Sequence, residues 1–326
     1  MPGIITNSLK LSNLGEREII DILAGKHRDI DDCAVLKCGD MDLLLSSDLI
    51  TRATHLPDGT PPFLAGKFFA AINLSDIAAM AGIPEGMLIS ISVSPEYDIK
   101  YLQEFYRGIN YELSRFNARI LGGDTKEGTD FTASGTIVGR QKAELIRKRS
   151  YIAPGQDVYV TNSLGTAGSG YIHYKYSNDK ETGIKQMLDI EPRIEEAQKI
   201  SRHGAKFMMD LSDGIYASIY QMFRDFGTGF RVYMEKIPVA PSVIEASRIS
   251  GFSVEDIALS FGGDYELFFT VDKDDNKSFM EAMKQESIDV HRIGETYSGF
   301  NEIYDGSWHA IKNRGYEHFM GVPLDK

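Results

Sequence analysis

Five short segments, far apart in the chain, each carry a carboxylate beside glycine, serine or asparagine. Carboxylate and hydroxyl oxygens are the ligands that a hard cation such as Mg²⁺ prefers, and glycine lets the backbone approach a phosphate closely. The combination therefore predicts magnesium-dependent chemistry on a phosphate. The segments are Asp31-Asp32-Cys33-Ala34-Val35, Ser46-Ser47-Asp48, Asn73-Leu74-Ser75-Asp76, Gly122-Gly123-Asp124-Thr125 and Asp210-Leu211-Ser212-Asp213-Gly214.

Electrostatics gives these segments their significance. Two carboxylates about 4 Å apart repel each other by about 4 kcal/mol at an effective dielectric constant near 20. Several of them at one site would destabilise a domain whose total stability is only about 5–15 kcal/mol, unless a cation were bound among them. The sequence pattern alone leaves open whether the five segments converge.

The composition restricts the class of protein and its partners. The chain has 326 residues and a formal net charge of −12, which argues against nucleic acid and anionic membranes as partners. Cys33 and Cys38 are too few for a disulfide framework or a zinc site, so we expect two reduced thiols. Neither a signal peptide nor an apolar run of about 20 residues is evident, which predicts a cytoplasmic protein.

Apolar periodicity predicts alternating strands and helices, and thus an α/β fold. The length favours two domains. The basic, proline-containing stretch 147–155 is the best candidate for a boundary, which we place between residues 1–148 and 149–326.

The predicted helix over residues 63–81 contains the sharpest anomaly. It is apolar nearly all round and should be buried, yet Asn73 and Asp76 are three residues apart on one of its faces. A buried carboxylate must be paired or bound to a metal. We favour a metal role for Asp76, and pairing with an arginine or a helix N-terminus is the alternative.

The other segments also have ordinary interpretations. Ser46-Ser47-Asp48 and Gly122-Gly123 are predicted to end strands, and Ser212 or Asp213 to cap a helix over residues 213–226. Gly165-Thr166-Ala167-Gly168-Ser169-Gly170 lacks the Gly-Lys-Ser/Thr ending of a P-loop, so we interpret it as a helix start. His55 is the only histidine near one of the carboxylate segments, and a lone histidine is usually structural.

Taken in order, the segments resemble those of the thiamine-monophosphate kinase family, in the aminoimidazole ribonucleotide synthetase-like superfamily. The resemblance covers nearly the whole chain and is carried by Asp31–Val35, Ser47-Asp48 with His55, Asn73–Met80, Phe105–Gly108, Gly122–Thr125, Arg149-Ser150 before Pro154-Gly155, Asp210–Gly214, Asp264–Leu267 and Gly315–Phe319.

The resemblance implies two α/β (α+β) domains, with a mixed-sheet N-terminal domain that dimerises and builds the nucleotide site. It implies phosphoryl transfer from ATP to thiamine monophosphate, with several Mg²⁺ ions, ATP as co-substrate and a homodimer. Asp213 and Arg149 would be catalytic, and His55 would lie at the thiamine phosphate. Tyr106, Gly123, Asp124, Arg149 and Ser212 would bind the nucleotide. The metal ligands would be Asp32, Ser46, Ser47, Asp48, Asp76, Asp124, Asp210 and Asp213.

Two positions on the acceptor side depart from the family pattern. Gly263 stands where the family usually has a glutamate at the substrate, and Asn313 stands where it has an aromatic residue against the thiamine ring. Two alternatives therefore remain: a sister ATP-dependent enzyme of the superfamily with another acceptor, and a non-catalytic protein that binds a nucleotide or a metal.

Overall fold

The computed structural model describes residues 10–25 and 30–311. The first half of this range contains α1 (Glu16–Ala24), β1 (Ala34–Leu36), β2 (Asp42–Thr51), α2 (Arg52–His55), α3 (Pro62–Ala79), β3 (Ile83–Val93), α4 (Ile99–Arg115), β4 (Arg119–Glu127) and β5 (Thr132–Gln141).

The second half begins after a 3₁₀ turn at Arg149–Tyr151. It contains β6 (Gln156–Thr161), α5 (Thr166–Tyr176), α6 (Lys180–Leu188), α7 (Ile194–Arg202), β7 (Ala205–Asp210), α8 (Ile215–Phe226), β8 (Gly229–Tyr233), α9 (Pro241–Ser250), α10 (Val254–Leu259), β9 (Leu267–Asp272), α11 (Asn276–Gln285), β10 (Val290–Tyr297), β11 (Glu302–Tyr304) and β12 (Trp308–Ala310).

The strands of the first half form one five-stranded sheet in the order β1-β2-β5-β3-β4, antiparallel except for β3 and β4. Side chains alternate between its faces. On β2, Leu44 and Ile50 are fully buried on the face that α3 covers, whereas Leu49 on the opposite face is half exposed. The sheet therefore has one covered face and one open face.

Helix α3 lies against the covered face and crosses α4 closely, at a point where one glycine of each helix faces the backbone of the other helix. A Cβ on Gly66 would lie 1.9 Å from the carbonyl oxygen of Phe105, and one on Gly108 would lie 2.0 Å from that of Phe63. No other residue type permits this approach without moving a helix. The helix ends at Ala79 rather than at the predicted Ala81, because Ala81 has a left-handed φ of +57° and the chain reverses there.

The strands of the second half form a seven-stranded mixed sheet in the order β12-β11-β8-β10-β6-β9-β7. Its edge strand β7 packs against α3 of the first half. The two-domain fold with mixed sheets agrees with the prediction, and the boundary between residues 148 and 149 stays a prediction.

Two strand ends predicted from glycine and serine are wrong. Ser46-Ser47-Asp48 lies inside β2, and β4 continues through Gly122 and Gly123. Gly123 pairs with Ile89 on β3, and a Cβ on it would lie 1.7 Å from the carbonyl oxygen of Ile89. The glycine there permits close strand packing and does not form a turn.

The connection between α6 and α7 ties the two halves together through ion pairs. Lys67 on α3 pairs with Asp189, and Arg115 on α4 pairs with Glu191. Arg115 also donates to the carboxylate of Glu112, at 2.7 Å. Glu112 is completely buried, and its second carboxylate oxygen has no hydrogen-bond partner among the described residues.

Burial raises the pKa of Glu112 to about 7, against the lowering effect of Arg115. The folded protein therefore keeps this proton over a pH range in which the unfolded chain releases it. The contribution of Glu112 to the free energy of unfolding falls as the pH rises from about 4.5 to about 7, and it is constant above that range.

We expect Glu112→Gln to remove this pH dependence. Between pH 5 and pH 8 the parent should lose about 2–3 kcal/mol of unfolding free energy relative to the variant. Urea unfolding at both pH values measures this difference. Glu104→Gln, an exposed position on the same helix, is the matched control. Parallel pH profiles for parent and Glu112→Gln would contradict the assignment.

We expect Gly108→Ala to lower the free energy of unfolding by about 1–3 kcal/mol, because the new methyl group would push α4 away from α3. Thermal unfolding measures the loss. Ser114→Ala, an exposed change on α4, should leave the melting temperature nearly unchanged. Equal melting temperatures for Gly108→Ala and the parent would show that the helix contact is more adaptable than its geometry indicates.

Candidate active site

Three carboxylates from distant parts of the chain meet where the two halves touch. Asp32 lies two residues before β1, Asp76 lies in the last turn of α3, and Asp210 ends β7. One carboxylate oxygen of each lies within 4.8 Å of the others. We call Asp32, Asp76 and Asp210 the acidic cluster. Its members come from three of the five segments that the sequence singled out, and from both halves of the fold.

Each member of the acidic cluster has a defined hydrogen-bond donor. The hydroxyl of Ser46 donates to Asp76 and that of Ser75 to Asp210, both at 2.5 Å. Asp32 accepts two hydrogen bonds from Arg149, from Nη2 at 2.6 Å and from Nε at 3.2 Å. The alternative in which an arginine pairs with Asp76 is therefore wrong for Arg149, because the buried guanidinium of that residue pairs with Asp32.

Asp48 extends the acidic cluster along β2. Its backbone N–H points to Oδ1 of Asn73 at 3.4 Å, and its carboxyl group hydrogen-bonds to Asp76. Asn73 is fully buried and donates to the carbonyl of Phe69. The predicted polar face of α3 therefore exists, and it lies against β2.

Burial, and then the charges of neighbouring carboxylates, raises the pKa values of Asp48, Asp76 and Asp210 above the ordinary range. The pKa of Asp76 is raised strongly, first by burial and then by the charges of Asp48, Asp210 and Asp32. Burial and Asp32 raise the pKa of Asp210 to about 7. Such a group of oxygen ligands fits Mg²⁺, because a bound cation replaces the protons and removes the repulsion.

Ser47 lies on the opposite face of β2 from Ser46 and Asp48. Its hydroxyl donates to the carbonyl of Gly135 at 2.9 Å and lies 3.2 Å from the hydroxyl of Thr136. Because neighbouring residues of a strand point to opposite faces, Ser46 and Ser47 cannot both reach the acidic cluster. Only Ser46 does so in this chain.

Within the described part of the single chain, Asp124 and Gly123 are not brought to the acidic cluster. Asp124 lies on β4, three inter-strand spacings from β2, or about 14 Å along the sheet. It is in register with Ser90 on the open face, and its carboxylate lies 3.5 Å from Lys126 Nζ. Tyr106 lies on α4, with its ring near that of Phe105.

Neither Ser212 nor Asp213 caps the helix that follows, so that prediction is wrong. Helix α8 begins at Ile215, and its N-cap residue is Gly214, with φ +86°. The glycine turns the chain and leaves Ser212 exposed. Asp213 lies near Tyr265, since after burial and the charges of Asp48 and Asp210 its charge helps to raise the pKa of the Tyr265 hydroxyl.

The turn 262–266 lies beside this loop and carries the altered family motif. Gly263 has φ +95°, and its N–H donates to the carbonyl of Ser212 at 2.7 Å. The carboxylate of Asp264 accepts from the N–H groups of Gly165 and Ala167. Asp264 thus caps the N-terminus of α5, and the glycine-rich segment is a helix start as predicted. Burial raises the pKa of Asp264 to about 6.

Tyr265 is a residue of the site that the sequence reasoning missed. Its φ of +51° is unusual for a large side chain, and its ring makes an edge contact with Phe68 at 6.3 Å between centroids. Burial, and then the charge of Asp48, raises the pKa of its hydroxyl strongly. Its place in the motif Asp264-Tyr265-Glu266 was the available signal.

His55 ends α2, seven residues after Asp48. Its Nδ1 accepts the backbone N–H of Thr51 at 3.3 Å and lies 2.7 Å from the hydroxyl of Thr54. A backbone N–H can only donate, so Nδ1 carries no proton in this arrangement and the neutral ring is protonated at Nε2. Asn313, predicted on the acceptor side, lies outside the described residues.

Comparison with known proteins identifies the family of this chain. Two family models match, the N-terminal domain of AIR synthase related proteins over residues 30–141 and the C-terminal domain over residues 153–305. Thiamine-monophosphate kinase from Buchnera aphidicola is 30% identical over 300 residues, covering 89% of this chain and 91% of its own. The chain belongs to the thiamine-monophosphate kinase family.

Other family members extend the likeness. The enzyme of the same name from Pyrococcus horikoshii is 29% identical over 95% of this chain and 98% of its own. A solved structure described as AaThiL complexed with AMPPCP and TMP has the same fold. It has a TM-score of 0.84 and 24% identity, over 95% of this chain and 99% of that one.

Among the residues that the structure describes, no helix is both long enough and apolar enough to cross a bilayer.

We expect Asp76→Asn to abolish most of the stabilisation by Mg²⁺ without lowering stability in its absence, because the change relieves repulsion. In the parent, the rise in melting temperature with Mg²⁺ should be larger at pH 8 than at pH 6, since protons on Asp210 and Asp76 compete with the cation. Thermal unfolding with and without 5–10 mM MgCl₂ (roughly saturating for such a site) measures both effects.

Asp274→Asn removes an exposed carboxylate elsewhere and should keep the full Mg²⁺ effect. An Asp76→Asn protein that gains as much melting temperature from Mg²⁺ as the parent would exclude Asp76 as a ligand.

Proposed function

We propose that this protein transfers the γ-phosphoryl group of ATP to the phosphate of thiamine monophosphate, giving thiamine diphosphate and ADP. The observation that carries the proposal is the convergence of Asp32, Asp76 and Asp210 from both domains. Membership of the thiamine-monophosphate kinase family supports it, as does a structural relative described with AMPPCP and TMP bound.

We further propose that Asp32, Asp48, Asp76 and Asp210, with the hydroxyl of Ser46, hold Mg²⁺. When bound, the metal would neutralise charge on the phosphates of both substrates. Asp213, three residues after Asp210, is a further proposed ligand of this metal. The resemblance also implied Ser47 and Asp124 as metal ligands. In the single chain they do not reach the acidic cluster, so they could bind this metal only in a different arrangement.

Direct in-line transfer suits the acceptor. A phosphate monoester is already a nucleophile near neutral pH, so the reaction needs no general base. An oxygen of the thiamine phosphate forms the new P–O bond as the bond between the γ-phosphorus and the bridging oxygen breaks, and the electron pair leaves with ADP. The protein's task is to position the groups and to exclude water.

Residues around the acidic cluster fit the remaining roles. Arg149, held by Asp32, would contribute fixed positive charge and, with Asp213, act on the transferring group. His55, protonated at Nε2, would donate a hydrogen bond to the acceptor phosphate. Tyr106, Gly123, Asp124 and Ser212 stay predicted nucleotide ligands, and Gly263 and Asn313 predicted acceptor-side residues.

We propose a homodimer formed through the open face of the first sheet. Leu36, Leu49 and Leu88 expose 55%, 50% and 45% of their surface there, which is unusual for a strand surface in contact only with water. Asp124 lies on this same face, so a partner chain seated on it would border Asp124. The cytoplasmic location stays a prediction.

The decisive assay supplies ATP and Mg²⁺ with either thiamine monophosphate or free thiamine. Chromatography of the fluorescent thiochrome derivatives then identifies the product. We expect thiamine diphosphate from the monophosphate alone, and a loss of about 100-fold or more in Asp76→Asn. ATP binding without diphosphate formation would overturn the proposed acceptor and favour a sister reaction or a non-catalytic protein.

We expect Leu49→Asp combined with Leu88→Asp to convert the dimer into a monomer, because two charges would be buried at the contact. Sedimentation velocity measures the mass. Leu23→Asp, an exposed apolar position on α1, is the control. A parent protein that is monomeric at assay concentration and fully active would contradict the dimer.

A further inference from the structure

Arg193, the residue before α7, forms a doubly hydrogen-bonded ion pair near the candidate site. Its Nε donates to one carboxylate oxygen of Glu266 at 2.9 Å, and its Nη2 donates to the other at 2.6 Å. The side chains are 19% and 7% exposed. Two parallel hydrogen bonds fix direction as well as distance, so Arg193 sets where this carboxylate lies.

Glu266 is held from a second side by the end of β6. The hydroxyl of Thr161 donates to it at 2.5 Å and the amide of Asn162 at 2.9 Å. Its carboxylate therefore accepts four hydrogen bonds. Such a buried network has one favourable geometry, and loss of the guanidinium would leave an uncompensated charge.

The backbone around Glu266 is joined directly to the loop that carries the second domain's carboxylates. The N–H of Leu211 donates to the carbonyl of Glu266 at 2.9 Å, and the N–H of Tyr265 donates to the carbonyl of Leu211 at 3.1 Å. Gly263 donates to the carbonyl of Ser212 in the same way. A shift of Glu266 therefore moves the backbone that follows Asp210.

The connection 189–193 that carries Arg193 is itself anchored to the first domain. Asp189 pairs with Lys67 on α3, and Glu191 pairs with Arg115 on α4. Asp32, Asp48 and Asp76 belong to the first domain, whereas Asp210 belongs to the second. The ion pairs of this connection thus join the two parts of the acidic cluster by a route separate from the cluster itself.

We propose that Arg193 is a positioning residue that, through Glu266, sets the placement of Asp210 and Tyr265 relative to the carboxylates of the first domain. It acts on metal and acceptor binding without contacting either. The proposal rests on the proposed function for its kinetic consequences, and on the acidic cluster alone for its effect on metal binding.

The test compares Arg193→Gln, Arg193→Lys, Glu266→Gln and the double variant Arg193→Gln/Glu266→Gln with the parent. Two quantities are measured at least 15 °C below each melting temperature (roughly the margin that keeps the chain folded). They are the Mg²⁺ concentration for half-maximal rate and the KM for thiamine monophosphate. The gain in melting temperature caused by MgCl₂ without nucleotide is a third readout that needs no activity.

We expect Arg193→Gln to raise the half-maximal Mg²⁺ concentration and the KM about 10-fold and to reduce the Mg²⁺-induced gain in melting temperature. Arg193→Lys should show smaller changes than Arg193→Gln in all three quantities. The double variant should be no worse than Arg193→Gln, because both changes break one connection. Glu266→Gln keeps acceptors for Thr161 and Asn162, so it tests the same connection if Arg193→Gln does not fold.

Arg231→Gln is the matched control. Arg231 lies on β8, four strands away from β7, and its Nε pairs with a carboxylate oxygen of Glu302 at 3.0 Å. This variant should leave both the Mg²⁺ dependence and the KM unchanged. A lower melting temperature with unchanged Mg²⁺ dependence in Arg193→Gln would overturn the proposal and leave a purely structural ion pair. If the parent lacks the kinase activity, the Mg²⁺-induced stabilisation still decides between these outcomes.

Discussion

The repulsion among buried carboxylates is the constraint on which the rest of the molecule depends. Asp76 lies in the last turn of α3, the negative end of the helix dipole, and two further carboxylates lie within 4.8 Å of it. Each circumstance raises the free energy of the ionised form. A fold can keep such an arrangement only if the surrounding packing forbids the carboxylates to separate, and here the packing of α3 against the first sheet and β7 does so.

Helix α3 is the centre of that packing. It contacts the first sheet on one side, α4 on another, and β7 and α7 of the second domain on a third. Its apolar surface is therefore buried all round, and its few polar groups are satisfied locally, as when Asn73 donates to Phe69 and Ser75 donates to Asp210. Rigidity of the site follows from burial of the helix and not from the carboxylates themselves.

Much of this could be predicted from the sequence, because apolar periodicity fixes which residues are buried and an acidic residue on a buried face is conspicuous. The position of Asp76 on an otherwise buried helix was predictable in this way, whereas its proximity to Asp210 was left open by the pattern and was implied only by the family resemblance. The side of β2 on which Ser47 lies was not predictable. The strand was predicted to end at residues 46–48, so the alternation of side chains between the two faces, which separates Ser46 from Ser47, was not applied there. The pairing of Arg149 with Asp32, at 2.6 Å, was equally hidden, because those residues are 117 positions apart. The role of Gly123 in close strand packing could not be predicted, because it depends on the neighbouring strand β3.

The conformation of Gly263 has a consequence for how this sequence can change. At φ +95° a residue with a side chain is strained, and among the described residues only the methyl group of Ala167 lies within 4 Å of the position a Cβ would take, at 3.1 Å. Reintroducing the glutamate of the family pattern would therefore meet a backbone obstacle more than a steric one. A glutamate placed at position 263 alone would therefore change the backbone of the turn as well as the side chain, so its effect would report on both.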